Sequence, residues 1–140
     1  MSKNFKEFEK KYRVNENILY QNDNWVVSLR PIQKTPFSML ITCKKDLFQI
    51  RNLSHIQFHD LKSCYNFIEN LVFDKFNAVR VNYECLMLVD AIIHFHVFPR
   101  FDRKLKFENF DLNDNYYPKP VNIQDNNCLN FNLIRKIIFN

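Results

Sequence analysis

The sequence contains no glycine. Phosphate-cradling loops use glycine because a residue without Cβ lets backbone amides approach the anion. The P-loop and the dinucleotide-binding turn both depend on it, and neither can exist in this chain. Any phosphate handled here must be met mainly by side chains. Cysteine is present but unpatterned: Cys43, Cys64, Cys85 and Cys128 include no Cys-x-x-Cys pair, so a disulfide framework or zinc knuckle has no support. Buried free thiols in a reducing compartment are the plain reading. No apolar run approaches the roughly 18 residues of a membrane helix. The start, Met1-Ser2-Lys3-Asn4-Phe5-Lys6, is polar and has no apolar signal core behind it. These absences read as a soluble cytoplasmic protein.

What is present is apolar bulk. The 140 residues are 46% hydrophobic and 16% aromatic, enough to pack one core in a single domain spanning 1–140. The net charge is +5, with positive charge gathered in 3–13, 34–45 and 100–106. That excess suits an anionic substrate. It also suits a basic nucleic-acid-binding module, but Phe and Tyr are spread at core spacings, so nucleic acid is the weaker reading.

Residues 1–20 read as a charged lead-in, partly helical over 5–12. Trp25–Leu29 alternates as a strand stopped by Pro31, 33–36 is a turn, and 38–43 is apolar enough for a central strand. Ser54 then stands where a helix N-cap would. Ile56, Leu61, Cys64, Tyr65, Ile68, Leu71 and Val72 follow at helical spacing. The helix should end near Phe76-Asn77, with Asn77 taking the left-handed position that glycine usually fills. Residues 78–83 are a strand candidate, followed by an apolar stretch through Val89 and a turn at Asp90-Ala91. Residues 92–100 are the last clear strand. Beyond Phe101 the chain is rich in Asn, Asp and Tyr, with a short terminal helix over about 129–138. The pattern predicts an α+β fold, a sheet with one long helix across a face.

Side chains alternate along a strand, so in 92–98 one face carries Ile93, Phe95 and Val97, and the other Ile92, His94, His96 and Phe98. His94 and His96 are thus neighbours, roughly 6.5–7 Å apart at Cα. Neutral imidazole is a nucleophile and base near neutral pH, and protonated imidazole donates strongly to phosphate oxygen. Two further readings stand beside catalysis: half-buried histidines satisfied by neighbours, and a metal-ligand pair with a third ligand from His55 or His59.

The run Asn82-Tyr83-Glu84-Cys85-Leu86-Met87-Leu88-Val89-Asp90-Ala91-Ile92-Ile93-His94-Phe95-His96-Val97-Phe98-Pro99-Arg100 resembles the signature of the histidine triad (HIT) superfamily. It looks closest to a bacterial branch with Asp two residues before the triad. The likeness covers about 20–102 and leaves 103–140 as a C-terminal extension. It implies an antiparallel half-barrel-like sheet with one long helix, usually in a homodimer. It also implies hydrolysis or nucleotidyl transfer at the α-phosphate of a nucleotide or nucleotide conjugate, through a nucleotidyl-histidine intermediate and with no obligatory metal or other cofactor. Substrates of the family include dinucleoside polyphosphates, phosphoramidates and nucleotide sugars. By position, the resemblance makes His94 the nucleophile and His96 the histidine that holds a phosphate oxygen. Asn82 and Arg100 become further phosphate contacts, and Trp25, Val27 and Leu40 walls of a nucleoside pocket.

Two departures carry consequences. The first triad position is Ile92, which keeps a backbone carbonyl for the His94 Nδ1–H but loses a supporting polar side chain. This motivates an alternative, a catalytically weakened nucleotide-binding relative. Arg30 falls where relatives carry Asp or Asn for the ribose hydroxyls. A guanidinium cannot accept those hydrogen bonds, which points to a different or more anionic substrate.

Overall fold

The computed structural model describes residues 3–140. Ten elements follow in chain order: α1 (Lys3–Tyr12), β1 (Ile18–Gln21), β2 (Trp25–Leu29), β3 (Met39–Cys43), α2 (His55–Glu69), β4 (Arg80–Glu84), β5 (His94–Arg100), the short strands β6 (Leu105–Lys106) and β7 (Asp111–Leu112), and α3 (Phe131–Ile138). β1 to β5 form one antiparallel sheet in the order β1-β2-β3-β5-β4, and β6 pairs with β7. The fold is α+β, as the pattern predicts. β3 is the central strand, and all five of its residues are buried.

Ser54 caps α2 as expected. Its hydroxyl accepts from the Gln57 N–H while the Gln57 side chain accepts from the Ser54 N–H, a reciprocal capping box. Leu61, Cys64, Ile68 and Val72 bury the inner stripe. Ile56, placed on that stripe by spacing, is instead 61% exposed. Past Glu69 the helix widens into π-helical turns over Asn70–Lys75, and Asn77 stops it at φ 59°. With no glycine available, Arg13, Phe37 and Met87 hold the other left-handed positions.

Residues paired across an antiparallel sheet point to the same side. One face therefore carries Trp25, Val27, Ile41, Phe95 and Tyr83. It meets α2 through Trp25 Nε1–H donating to the Gln57 carbonyl at 2.8 Å and through Tyr65 packed edge-on against Tyr83 and Phe95. The other face carries Leu40, Thr42, His94, His96 and Phe98. It is covered by α1, whose Phe8 ring lies 4.8 Å from that of His94.

Two expectations need correction. The lead-in contains strand β1, which Ile18, Leu19 and Tyr20 build against β2. The run 92–100 yields a strand only from His94, and the β6–β7 hairpin follows it. The apolar stretch through Val89 lies in a loop, with Leu88 and Val89 85% and 86% exposed.

Candidate active site

The histidine pair forms because β5 sits between β3 and β4, which pins its alternation. His94 opposes Thr42, and His96 lies between Leu40 and Glu84. Both imidazoles are buried, with ring centres 5.2 Å apart and planes at 84°. His94 Nδ1 lies 2.6 Å from the carbonyl oxygen of Ile92. A carbonyl can only accept, so Nδ1 carries the hydrogen and Nε2 keeps its lone pair. Burial pushes the His94 pKa below its ordinary value, against the upward pull of the Ile92 carbonyl and Asp90. Burial, aided by the charge of Arg30, pushes His96 down to about 3. Both rings are therefore neutral at neutral pH, which suits a nucleophile.

His94 and His96 line a cavity of about 200 Å³ with Tyr12, the loop residues Met87, Leu88 and Asp90, and the tail residues Ile123 and Gln124. This is below the roughly 300–1,000 Å³ of a typical small-molecule site. It has room for a phosphoryl group but not for a whole nucleotide. Asp90 ties the loop to α1: its Oδ2 accepts from Lys11 Nζ at 2.8 Å and from Tyr12 O–H at 3.3 Å.

The remaining site residues divide. Arg30 lies on the histidine face, with its guanidinium 5.8 Å from the Phe98 ring centre. Phe98 is in turn stacked parallel to His96 at 6.3 Å. Leu40 is on the same face, buried beside His96. Trp25 and Val27 are not. They are wholly buried on the opposite face under α2 and cannot wall the cavity that holds the histidines. The reason is strand parity, since 25 and 27 alternate with 26 and 28.

Arg100 and Asn82 share the histidine face but are already committed. Arg100 donates to both carboxylate oxygens of Asp114 (2.7 and 3.3 Å), to Asn82 Oδ1 (2.8 Å) and to the Lys119 carbonyl (2.6 Å). This places Arg100 as the anchor of the C-terminal segment, away from the histidine cavity. His55 and His59 are exposed on α2, across the sheet from the pair, and supply no third ligand to it.

Sequence reasoning missed Tyr12, Asp90 and the tail pair Ile123 and Gln124. Phe5, Phe8 and Tyr12 recur at helical spacing, which was a usable signal for a helix packing onto the site. Nothing in the Asn- and Asp-rich tail marks Ile123 or Gln124, because irregular backbone has no period.

No family model matches the sequence, and no curated protein does. The fold, however, is shared with solved structures. A histidine triad (HIT) protein from Sinorhizobium meliloti superposes with a TM-score of 0.67 at 14% identity, over 91% of this chain and 89% of its own. A hypothetical histidine triad nucleotide-binding protein from Sulfolobus tokodaii gives 0.59 at 16% identity, over 86% and 79%. The diadenosine triphosphate hydrolase of Plasmodium falciparum gives 0.54 at 12% identity, over 97% and 92%. The chain has the histidine triad fold.

Proposed function

We propose that this chain, built on the histidine triad fold, is a nucleotide-processing hydrolase or nucleotidyl transferase acting at the α-phosphate. The observation that supports it best is the 2.6 Å contact of His94 Nδ1 with the Ile92 carbonyl. It frees Nε2 for attack without needing a histidine at position 92. Two of the similar structures are described as a nucleotide-binding protein and a diadenosine triphosphate hydrolase, which agrees with the reading.

In the first step the His94 Nε2 lone pair forms an N–P bond, and the bond from phosphorus to the leaving group breaks. The departing atom takes that electron pair and a proton from solvent water. The imidazole becomes cationic, and the Ile92 carbonyl stabilises its Nδ1–H. In the second step water, or an acceptor hydroxyl in transfer, attacks phosphorus. The N–P bond breaks, its electron pair returns to Nε2, and the attacking oxygen loses its proton to solvent water. His96, neutral at this pH, donates one ring N–H to a non-bridging oxygen throughout. Tyr12 and Asp90 border the same cavity and hold its entrance loop. We also propose that two copies pair, since β4 ends the sheet with an unpaired edge. Sedimentation at twice 17.1 kDa is the expected result.

The decisive experiment is incubation with a nucleotide panel (a phosphoramidate, a dinucleoside polyphosphate, a nucleotide sugar), followed by intact-mass detection of an acid-labile adduct. The expected adduct forms in the wild type and is absent in His94→Ala, with turnover falling at least about 10³-fold. Equal turnover by His94→Ala would refute the mechanism. Nucleotide binding with neither adduct nor turnover would favour the alternative motivated by Ile92, a binding protein without catalysis.

A further inference from the structure

Three cations around the histidine face have carboxylate partners. Lys11 is paired with Asp90 at 2.8 Å, Lys34 with Asp125 at 2.8 Å and Arg100 with Asp114 at 2.7 Å. Arg30 is only 4% exposed, yet among the described residues no carboxylate lies within ion-pairing distance of it. Its one side-chain hydrogen bond among the described residues runs from a terminal nitrogen to the Ile32 carbonyl at 2.6 Å, and its Nε–H is buried with no acceptor among them. Glu84, which faces His96 across the sheet, is the carboxylate whose charge reaches Arg30, but it makes no ion pair with it.

A buried cation without a counter-charge is costly. The rest of this face is short of partners too. Ser28 Oγ, Thr42 Oγ1 and His96 Nδ1 are, with Arg30 Nε, the buried side-chain polar atoms that lack a hydrogen bond among the described residues. Thr42 opposes His94, and Ser28 opposes Leu40, which opposes His96. The unmet polar atoms thus fall along one strip of the sheet, from the histidine cavity to Arg30. The cavity itself is lined by two neutral imidazoles and by Asp90, whose carboxylate is already paired with Lys11. Positive charge for an incoming anion must come from elsewhere, and Arg30 is one aromatic ring away, across Phe98 from His96.

We infer that Arg30 is a specificity-determining residue that receives a second phosphoryl group of the substrate, beside the phosphate at His94 and His96. This rests on the nucleotide reading above and narrows it to nucleotides carrying a phosphate besides the reacting one. A guanidinium fork meets phosphate with two parallel N–H donors. The ligand supplies the counter-charge that the protein lacks, moving the tail residues Ile123 and Gln124, which precede the anchored Asp125, aside as it enters.

The test is calorimetry of AMP, ADP, adenosine 3′,5′-bisphosphate, inorganic phosphate and pyrophosphate with the wild type, Arg30→Gln and Arg30→Lys. At least one of the two-phosphate nucleotides should bind the wild type about 10–100-fold more tightly than AMP. Preference for ADP would put the second phosphate in the chain, and preference for the bisphosphate would put it on the sugar. Arg30→Gln should abolish the preference. Arg30→Lys, which keeps the charge, should retain part of it and serves alone if the glutamine variant does not fold. Equal binding of AMP and both two-phosphate nucleotides by the wild type overturns the proposal, as does an undiminished preference in Arg30→Gln. If no nucleotide binds the wild type, the nucleotide reading falls and the inorganic probes decide the Arg30 assignment. Pyrophosphate preferred over phosphate, with that preference lost in Arg30→Gln, upholds it, and equal binding overturns it.

Discussion

The Nδ1 atom of His94 and the carbonyl oxygen of Ile92 lie 2.6 Å apart, so the backbone at position 92 sets the tautomer of the candidate nucleophile. The isoleucine side chain has a separate task, since it is buried in the core. Ile92→Val keeps the carbonyl and removes one methylene. It should cost about 0.5–1.5 kcal/mol of stability and leave kcat unchanged, measured by urea unfolding and by turnover of the best substrate in the panel. A kcat that falls tenfold or more with the fold intact would show that the side chain, and not the carbonyl, supports the histidine.

Both histidines also make the protein sensitive to acid in a defined direction. Burial lowers the pKa of His94, and burial with Arg30 lowers that of His96 to about 3, against an ordinary value of 6.5. Between the folded and unfolded values the unfolded chain binds more protons, so stability rises with pH across that window. The contribution is complete above about 6.5 and is lost progressively as pH falls toward 3. Urea midpoints measured through this window should fall with acid in the wild type and fall less steeply in His96→Gln. Parallel curves would remove His96 as the cause. For the same reason the acid limb of kcat/KM should lie below the ordinary histidine pKa.

Much of this site was legible before any coordinates. Period-two alternation placed His94 and His96 together, and Ser54 and Asn77 bracketed the long helix correctly. Parity also contained the correction for Trp25 and Val27, because residues of β2 that share a face with Leu40 and His96 must be even-numbered. What could not be read were relations between segments distant in sequence. Asp90 meets Lys11 and Tyr12, and Asp114 meets Arg100, through side chains on irregular backbone. Hydrophobic period carries no information about such pairs. Exposure of Leu88 and Val89 was hidden likewise, since an apolar run reads as core unless the loop that carries it is known.

The lack of glycine leaves correctable strain. Arg13 sits at φ 52° and ψ 42° between α1 and the short helical turn Val14–Glu16, with an exposed side chain that pairs with Glu16 and lies over the Phe131 ring. A left-handed conformation costs an ordinary residue roughly 1–2 kcal/mol, and glycine avoids it at the expense of a more flexible unfolded chain. Arg13→Gly should therefore stabilise the protein by up to about 1 kcal/mol, seen as a higher Tm at unchanged activity. A lower Tm would mean that the Arg13 contacts with Glu16 and the Phe131 ring outweigh the backbone strain.

Arg100 sits in the motif where the resemblance implies a phosphate contact, yet its partners make it a structural anchor. The Asp114 carboxylate is wholly buried. Besides Arg100 it accepts from the backbone N–H groups of Phe101, Tyr116 and Tyr117. Removing it leaves a buried guanidinium and three amides without their acceptor. Breaking a buried pair in this way costs about 3–5 kcal/mol. Asp114→Ala should lose stability on that scale, and limited proteolysis should cut first within 113–129. Arg100→Ala should do the same, and the double variant should lose less than the two single losses added together. These outcomes belong to an anchor. A different one, in which Arg100→Ala keeps the wild-type Tm but loses affinity for AMP, would return Arg100 to the phosphate site.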